Sequence, residues 1–97
     1  MKIYYLNIEA VPNKTNPESK ECAGAYINFW IKASSPEEAL SIAKEYIVEE
    51  DWTYVDTEDM GIAKRELLDN PDSLECYDEA CEYGLGAVFY AWTSDEE

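Results

Sequence analysis

The 97-residue chain has no histidine, three cysteines, four glycines, seven basic residues and no long apolar run. Each shortage closes off a class of function. Without histidine there is no side chain whose ordinary pKa lies near neutrality, and the commonest zinc and copper ligand is missing. The few glycines form no phosphate-cradling loop, no GxSxG nucleophile elbow occurs, and the cysteines make no CxxC pair. These absences argue against an enzyme and leave no cofactor and no metal to expect. No stretch approaches the roughly 20 apolar residues of a membrane-spanning helix. The opening MKIYYLNIEAVP lacks the basic start, apolar core and small-residue cleavage site of a secretory signal. A cytoplasmic protein is expected, with Cys22, Cys76 and Cys81 as reduced thiols behaving as buried small hydrophobes.

What the chain has in quantity is acid: 22 Asp and Glu against 7 Lys and Arg, a formal net charge of −15. Residues 1–44 balance five acids (Glu9, Glu18, Glu21, Glu37, Glu38) against five bases (Lys2, Lys14, Lys20, Lys32, Lys44). From Glu45 onward only Lys64 and Arg65 oppose 17 acids, so the entire net charge falls in the second half. Apolar residues still make up 46%, with 3 Trp, 8 Tyr and 2 Phe, which suffices for one core in a chain of this size. A single acidic domain over residues 1–97 is expected.

Periodicity supplies the elements. Lys2 to Val11 alternates, with Tyr4, Leu6, Ile8 and Ala10 against Tyr5, Asn7 and Glu9, as a half-buried strand requires. Residues 12–22, with two prolines, read as a mobile loop. Ala23 to Ala33 alternates again, directing Ala25, Ile27, Phe29 and Ile31 inward and Tyr26, Asn28 and Trp30 outward. Ser35-Pro36-Glu37-Glu38 is a capping box, with Glu38 expected to bond back to the cap amide. Its helix places Ala39, Leu40, Ala43, Tyr46 and Ile47 on one face. Trp52 to Thr57 predicts a third strand, ended by a turn at Glu58–Gly61, with one or two helical turns at 62–68. After Asn70-Pro71, Asp72 or Ser73 can cap a second helix that runs to Tyr83, with Leu74, Tyr77 and Cys81 inward and Gly84 as its stop. Leu85 to Thr93 reads as the last strand and 94–97 as a frayed tail. The order ββαβαβ predicts an α+β domain: a four-stranded, mostly antiparallel sheet with both main helices packed on one face.

The acids of the second half form the candidate site. Asp72, Glu75, Glu79 and Glu82 recur at spacings of 3, 4 and 3, which makes one stripe on a helix, with Asp78 beside it and Glu66 and Asp69 upstream. Asp56, Glu58 and Asp59 add three more, at the start of a segment that lacks the ligand alternation of a calcium loop and has Leu67 at its twelfth position. Like charges about 6 Å apart in water repel by only about 0.7 kcal/mol, so such a stripe is tolerable as a plain solvated face. A field of one sign is, however, what steers association with an oppositely charged partner. It repels nucleic acid and anionic membranes, so the expected partner is a basic protein, met through Asp56, Glu58, Asp59, Glu66, Asp69, Asp72, Glu75, Asp78, Glu79 and Glu82 by a monomer.

In size, charge and acidic-helix display the chain resembles the DNA-mimic proteins of phages and mobile elements, among them anti-CRISPR inhibitors that occupy the DNA path of a type I surveillance complex. The resemblance lies in general character and in no motif. It implies inhibition of a nucleic-acid-binding protein or complex by filling its basic groove. An immunity protein that plugs a basic nuclease needs the same charge, and an accessory domain with incidental acidity needs none of it. The outward Tyr5, Tyr26 and Trp30 are expected either to form a second, less polar contact surface or to pack under a helix.

Overall fold

The computed structural model describes residues 1–93, so the tail expected at 94–97 lies outside the described residues. Strands β1 (Lys2–Pro12) and β2 (Gly24–Ala33) pair antiparallel from Lys2 opposite Ala33 to Ala10 opposite Ala25. Strand β3 (Trp52–Ile62) adds to the free side of β1 and β4 (Leu85–Trp92) to the free side of β2, both antiparallel. The sheet order is β3-β1-β2-β4. With α1 (Pro36–Glu49) and α2 (Pro71–Tyr83) the chain has the expected α+β class and ββαβαβ order.

The helices do not share a face of the sheet, which corrects the expected packing. Leu6, Ile8 and Ala10 on β1 and Ala25, Ile27, Phe29 and Ile31 on β2 form one core with Ala39, Ala43 and Ile47 of α1. All of these side chains are fully buried, each large one contributing about 1.5–3 kcal/mol. The alternate residues Ile3, Tyr5 and Trp30 form a second core on the other face with Cys76, Tyr77 and Ala80 of α2. The reason is Trp30, an outward-phased indole that is only 2% exposed because α2 covers it. A sheet with apolar side chains on both faces needs a helix on each.

Local signals explain the helix ends. Ser35 caps α1 by accepting from the Glu38 amide at 3.1 Å, with Pro36 in the first turn. The Glu38 carboxylate accepts from the Ser34 amide and hydroxyl, both at 2.7 Å, one residue earlier than the capping box predicts. These two bonds hold its pKa below the usual carboxylate value. In α2 the cap is Asn70, not Asp72 or Ser73. Pro71 restricts the preceding residue to extended backbone, which is the conformation an N-cap requires, and the Asn70 side chain accepts from Asp72 and Ser73. Gly84, at φ 100°, ends the helix as expected. The buried face is set by Cys76 and Ala80, while Cys81 is exposed and Leu74 and Tyr77 are only half-buried. Small residues sit inward because the helix backbone lies directly on β4: a Cβ at Gly86 would overlap the Cys76 main chain.

Strand β3 is nearly twice as long as predicted. It runs through Glu58–Gly61, where a turn is expected, because the eleven residues of β1 offer a pairing template along its whole length. Two register shifts, between Asn7 and Ile8 and between Glu9 and Ala10, absorb the extra residues. The predicted helical turns after it reduce to a 3-10 turn at Arg65–Leu67. The 12–22 connection carries another at Pro17–Lys20, capped by Asn16. It is tied to the α1–β3 junction through Asp51, whose carboxylate accepts from Asn13 and Thr15 and whose carbonyl accepts from the Asn13 amide and the Asn16 side chain. Asp51 holds a left-handed φ of 69°.

Two substitutions test these joints. Gly86→Val should lift α2 from the sheet, lowering stability by roughly 1–3 kcal/mol in denaturant titration and exposing Trp30 to fluorescence quenchers. Asp51→Ala should lose about 1–2 kcal/mol, since it removes the acceptors of Asn13 and Thr15 and keeps a Cβ in the left-handed region. Wild-type midpoints for both variants would refute this account of the packing.

Candidate functional site

The orientation of α2 follows from its seat on Gly86. With Cys76 and Ala80 against the sheet, Asp72, Glu75, Asp78, Glu79 and Glu82 are all exposed on the outer side. No basic residue occurs between Pro71 and Tyr83. Helix rise spreads the stripe from Asp72 to Glu82 over about 15 Å. Glu66 and Asp69 are exposed on the connection that leads into the helix. Seven of the ten predicted residues thus lie on one continuous segment.

Arg65 interrupts the row. Its guanidinium donates to both Asp78 oxygens, at 3.0 and 3.2 Å, and the pair is more than half exposed. The arginine holds the Asp78 carboxyl below its usual value, and the aspartate in turn raises Arg65. A bridge this open adds little stability, but it neutralises one carboxylate and links the middle of α2 to the preceding 3-10 turn.

The other three candidates are elsewhere. Asp56, Glu58 and Asp59 are exposed on β3, at the opposite edge of the sheet from β4, about 14 Å away at three strand spacings. Asp59 pairs with Asn7 and Asp56 with Glu9, which places both on the face that α2 partly covers. Asp59 helps burial raise the Tyr5 phenol. Glu45, Glu49 and Glu50 of the acidic half are also exposed, but they belong to the end of α1 on the other face. The charge asymmetry along the chain therefore does not become a one-sided molecule. The acids form a stripe on α2, an edge group on β3 and a third group beyond α1.

The outward aromatics divide. Trp30 and Tyr5, with ring centroids 5.3 Å apart, lie under or beside α2. Tyr26 is 41% exposed and stacks on Trp92 at 5.1 Å, next to exposed Tyr90. Tyr90 and Trp92 were not singled out by sequence reasoning because the phase of β4 follows from its register with β2. A cleft of about 290 Å³ opens between the sheet and the 62–73 segment, lined by Tyr5, Trp30, Ile62, Leu67 and Ser73 among others. The buried Trp30 indole N–H has no hydrogen-bond partner among the described residues.

The Cys76 thiol is pushed up by burial and by Glu79, Glu75 and Asp72, which makes it a poor nucleophile. No group of three potential metal-ligating side chains comes together, and no helix is long and apolar enough to cross a membrane, among the described residues. The chain matches no family model, no curated protein and no solved structure.

The Arg65 contact gives a titration test. Because the folded-state pKa of Asp78 is lowered, the bridge is present at neutral pH and is lost as pH falls through that value, below the range where an unfolded aspartate titrates. Carboxyl-carbon NMR should place the Asp78 midpoint under that of an ordinary aspartate, and Arg65→Gln should restore it. An equal midpoint in both proteins would show that the contact is absent in solution.

Proposed function

We propose that this protein is a non-enzymatic inhibitor that binds a basic nucleic-acid-binding protein or complex in place of DNA or RNA. The observation that carries the reading is the α2 stripe: five exposed carboxylates on a helix with no base of its own, whose backbone packs directly against Gly86. Carboxylates held at fixed intervals meet arginine and lysine by charge-assisted hydrogen bonds without the ordering cost of a flexible acidic tail. Dimensions support the same reading. The stripe advances by about 4.5–6 Å per carboxylate along the helix axis. Asp56 and Asp59 of the β3 group lie on the same face of the sheet as α2, at the edge three strand spacings from the β4 strand on which the helix packs.

The protein works as a cytoplasmic monomer, in the manner of the DNA-mimic inhibitors it resembles. The α2 stripe and the β3 edge group enter the partner's groove, and Asp78, already paired with Arg65, contributes least. Salt weakens the complex because pairing the two surfaces releases their counterions, a gain that shrinks as bulk salt rises, and because dissolved ions screen the attraction.

Immobilised protein incubated with cell lysate should retain basic nucleic-acid-binding proteins that duplex DNA displaces and a salt gradient releases. The triple variant Glu75→Lys, Glu79→Lys, Glu82→Lys should fold normally by circular dichroism and lose this capture. Retention of the same partner by the folded triple variant, or indifference of the captured protein to added DNA, would remove the basis for mimicry. Recovery of one nuclease alone would point to an immunity protein.

A further inference from the structure

The two edges of the sheet are built differently. Strand β3 is interrupted by two register shifts and carries Asp56, Glu58 and Asp59, the devices that keep an exposed edge from pairing with other chains. Strand β4, LGAVFYAW, has no charged residue and no proline, and its register with β2 is unbroken from Leu85 to Trp92. Nothing in its sequence protects it.

Its hydrogen-bonding phase can be read from one bond. The Lys32 amide donates to the Gly84 carbonyl at 3.0 Å. Antiparallel alternation then turns the main-chain groups of Gly86, Val88 and Tyr90 toward β2 and those of Leu85, Ala87, Phe89 and Ala91 away from the sheet. Among the described residues no turn, loop or cap bond reaches these outward groups.

The same residues border a second cleft. Asn16, Glu18, Glu50, Trp52, Phe89 and Ala91 line a hollow of about 340 Å³ on the α1 face, at the far end of β4. Trp52 and Phe89 bring ring centroids to 5.3 Å and offer π surface, while Glu18 and Glu50 supply two carboxylates. Aromatic faces and carboxylates in one hollow favour a cationic side chain on two counts. Phe89 and Ala91 both present free main-chain groups and line this hollow. A strand paired with them directs every second side chain to the α1 face, beside it.

We propose that β4 accepts an extended, arginine- or lysine-bearing segment of a partner protein as a fifth strand, with one cationic side chain lodged between Glu18, Glu50 and the Trp52–Phe89 pair. Charge selects this occupant over a second copy of the chain. Each copy carries −15, and α2 packs on β4, so pairing two β4 strands would bring two acidic stripes together. The site is separate from the outer face of α2 and stands or falls independently of it.

The test uses the full chain and a capped heptapeptide alternating arginine and valine. In NMR titration the peptide should perturb and protect the amides of Leu85, Ala87, Phe89 and Ala91 and shift the Trp52 indole signal, and a glutamate–valine peptide should not bind. N-methylation of alternate peptide amides should abolish binding in one phase and spare it in the other, since only one set faces β4. Glu18→Gln with Glu50→Gln should weaken binding at least about tenfold. The α2 triple lysine variant should keep the β4 footprint. Equal binding by both N-methylated phases, perturbations confined to α2 carboxylates, or no saturable binding at millimolar peptide would each overturn the proposal.

Discussion

Nine consecutive residue pairs between β1 and β2 place apolar side chains on both sides of the sheet at once, and the rest of the molecule answers to that. On one side the row from Leu6 and Ile8 to Phe29 and Ile31 is closed by the alanine and isoleucine stripe of α1. On the other, Ile3 and Trp30 would face water without α2. The second helix must come close, and only small residues permit it: Cys76 and Ala80 on the helix, glycine at position 86 below it. Burying an indole thus dictates which side of α2 meets solvent, and with it where five carboxylates point.

With both faces taken by helices, the acids have only outer surfaces left. They spread to the far side of α2, the β3 edge and the end of α1, so the molecule is negative around much of its periphery, not on one flank. What distinguishes α2 is the absence of any base within it, relieved only at Asp78 by Arg65. Spacing of about one carboxylate per helical turn along the stripe keeps mutual repulsion in water near thermal energy, which the apolar contacts beneath easily offset.

Much of this was legible in the sequence. The alternation of β1 and β2, the Ser35-Pro36 start of α1 and the Gly84 stop are local signals, and local chemistry decides them. The length of β3 was not legible, because Glu58, Asp59 and Gly61 are poor strand formers and become extended only through pairing with β1 and the two bulges. The phase of α2 was misread for a similar reason. Leu74, Tyr77 and Cys81 look like its apolar face in isolation, but the sheet selects small side chains, and that preference originates at Gly86, ten residues beyond Cys76. Trp30 carried the clearest hint of cover on the second face, and of its two expected roles it takes the one of packing under a helix: an indole on the nominally outer side of a central strand demands cover. Of the candidate site, the stripe on α2 could be read from spacing alone, whereas its distance from Asp56, Glu58 and Asp59 depends on strand order.

The separation of β3 and β4 at opposite margins has a kinetic side. To reach β2 from the end of β3, the chain must carry α2 across the full width of the sheet, and β4 closes against residues as far away in sequence as Gly24 is from Trp92. Loop-closure entropy makes such a non-local pairing slow relative to the β1–β2 hairpin. Until it forms, the most acidic stretch of the chain hangs from a β-β-α-β substructure that already holds Leu6, Ile8, Ile27 and Phe29 together. Dissolved salt, by shielding that stretch from the carboxylates of β3, should therefore speed the final stage of assembly more than the first.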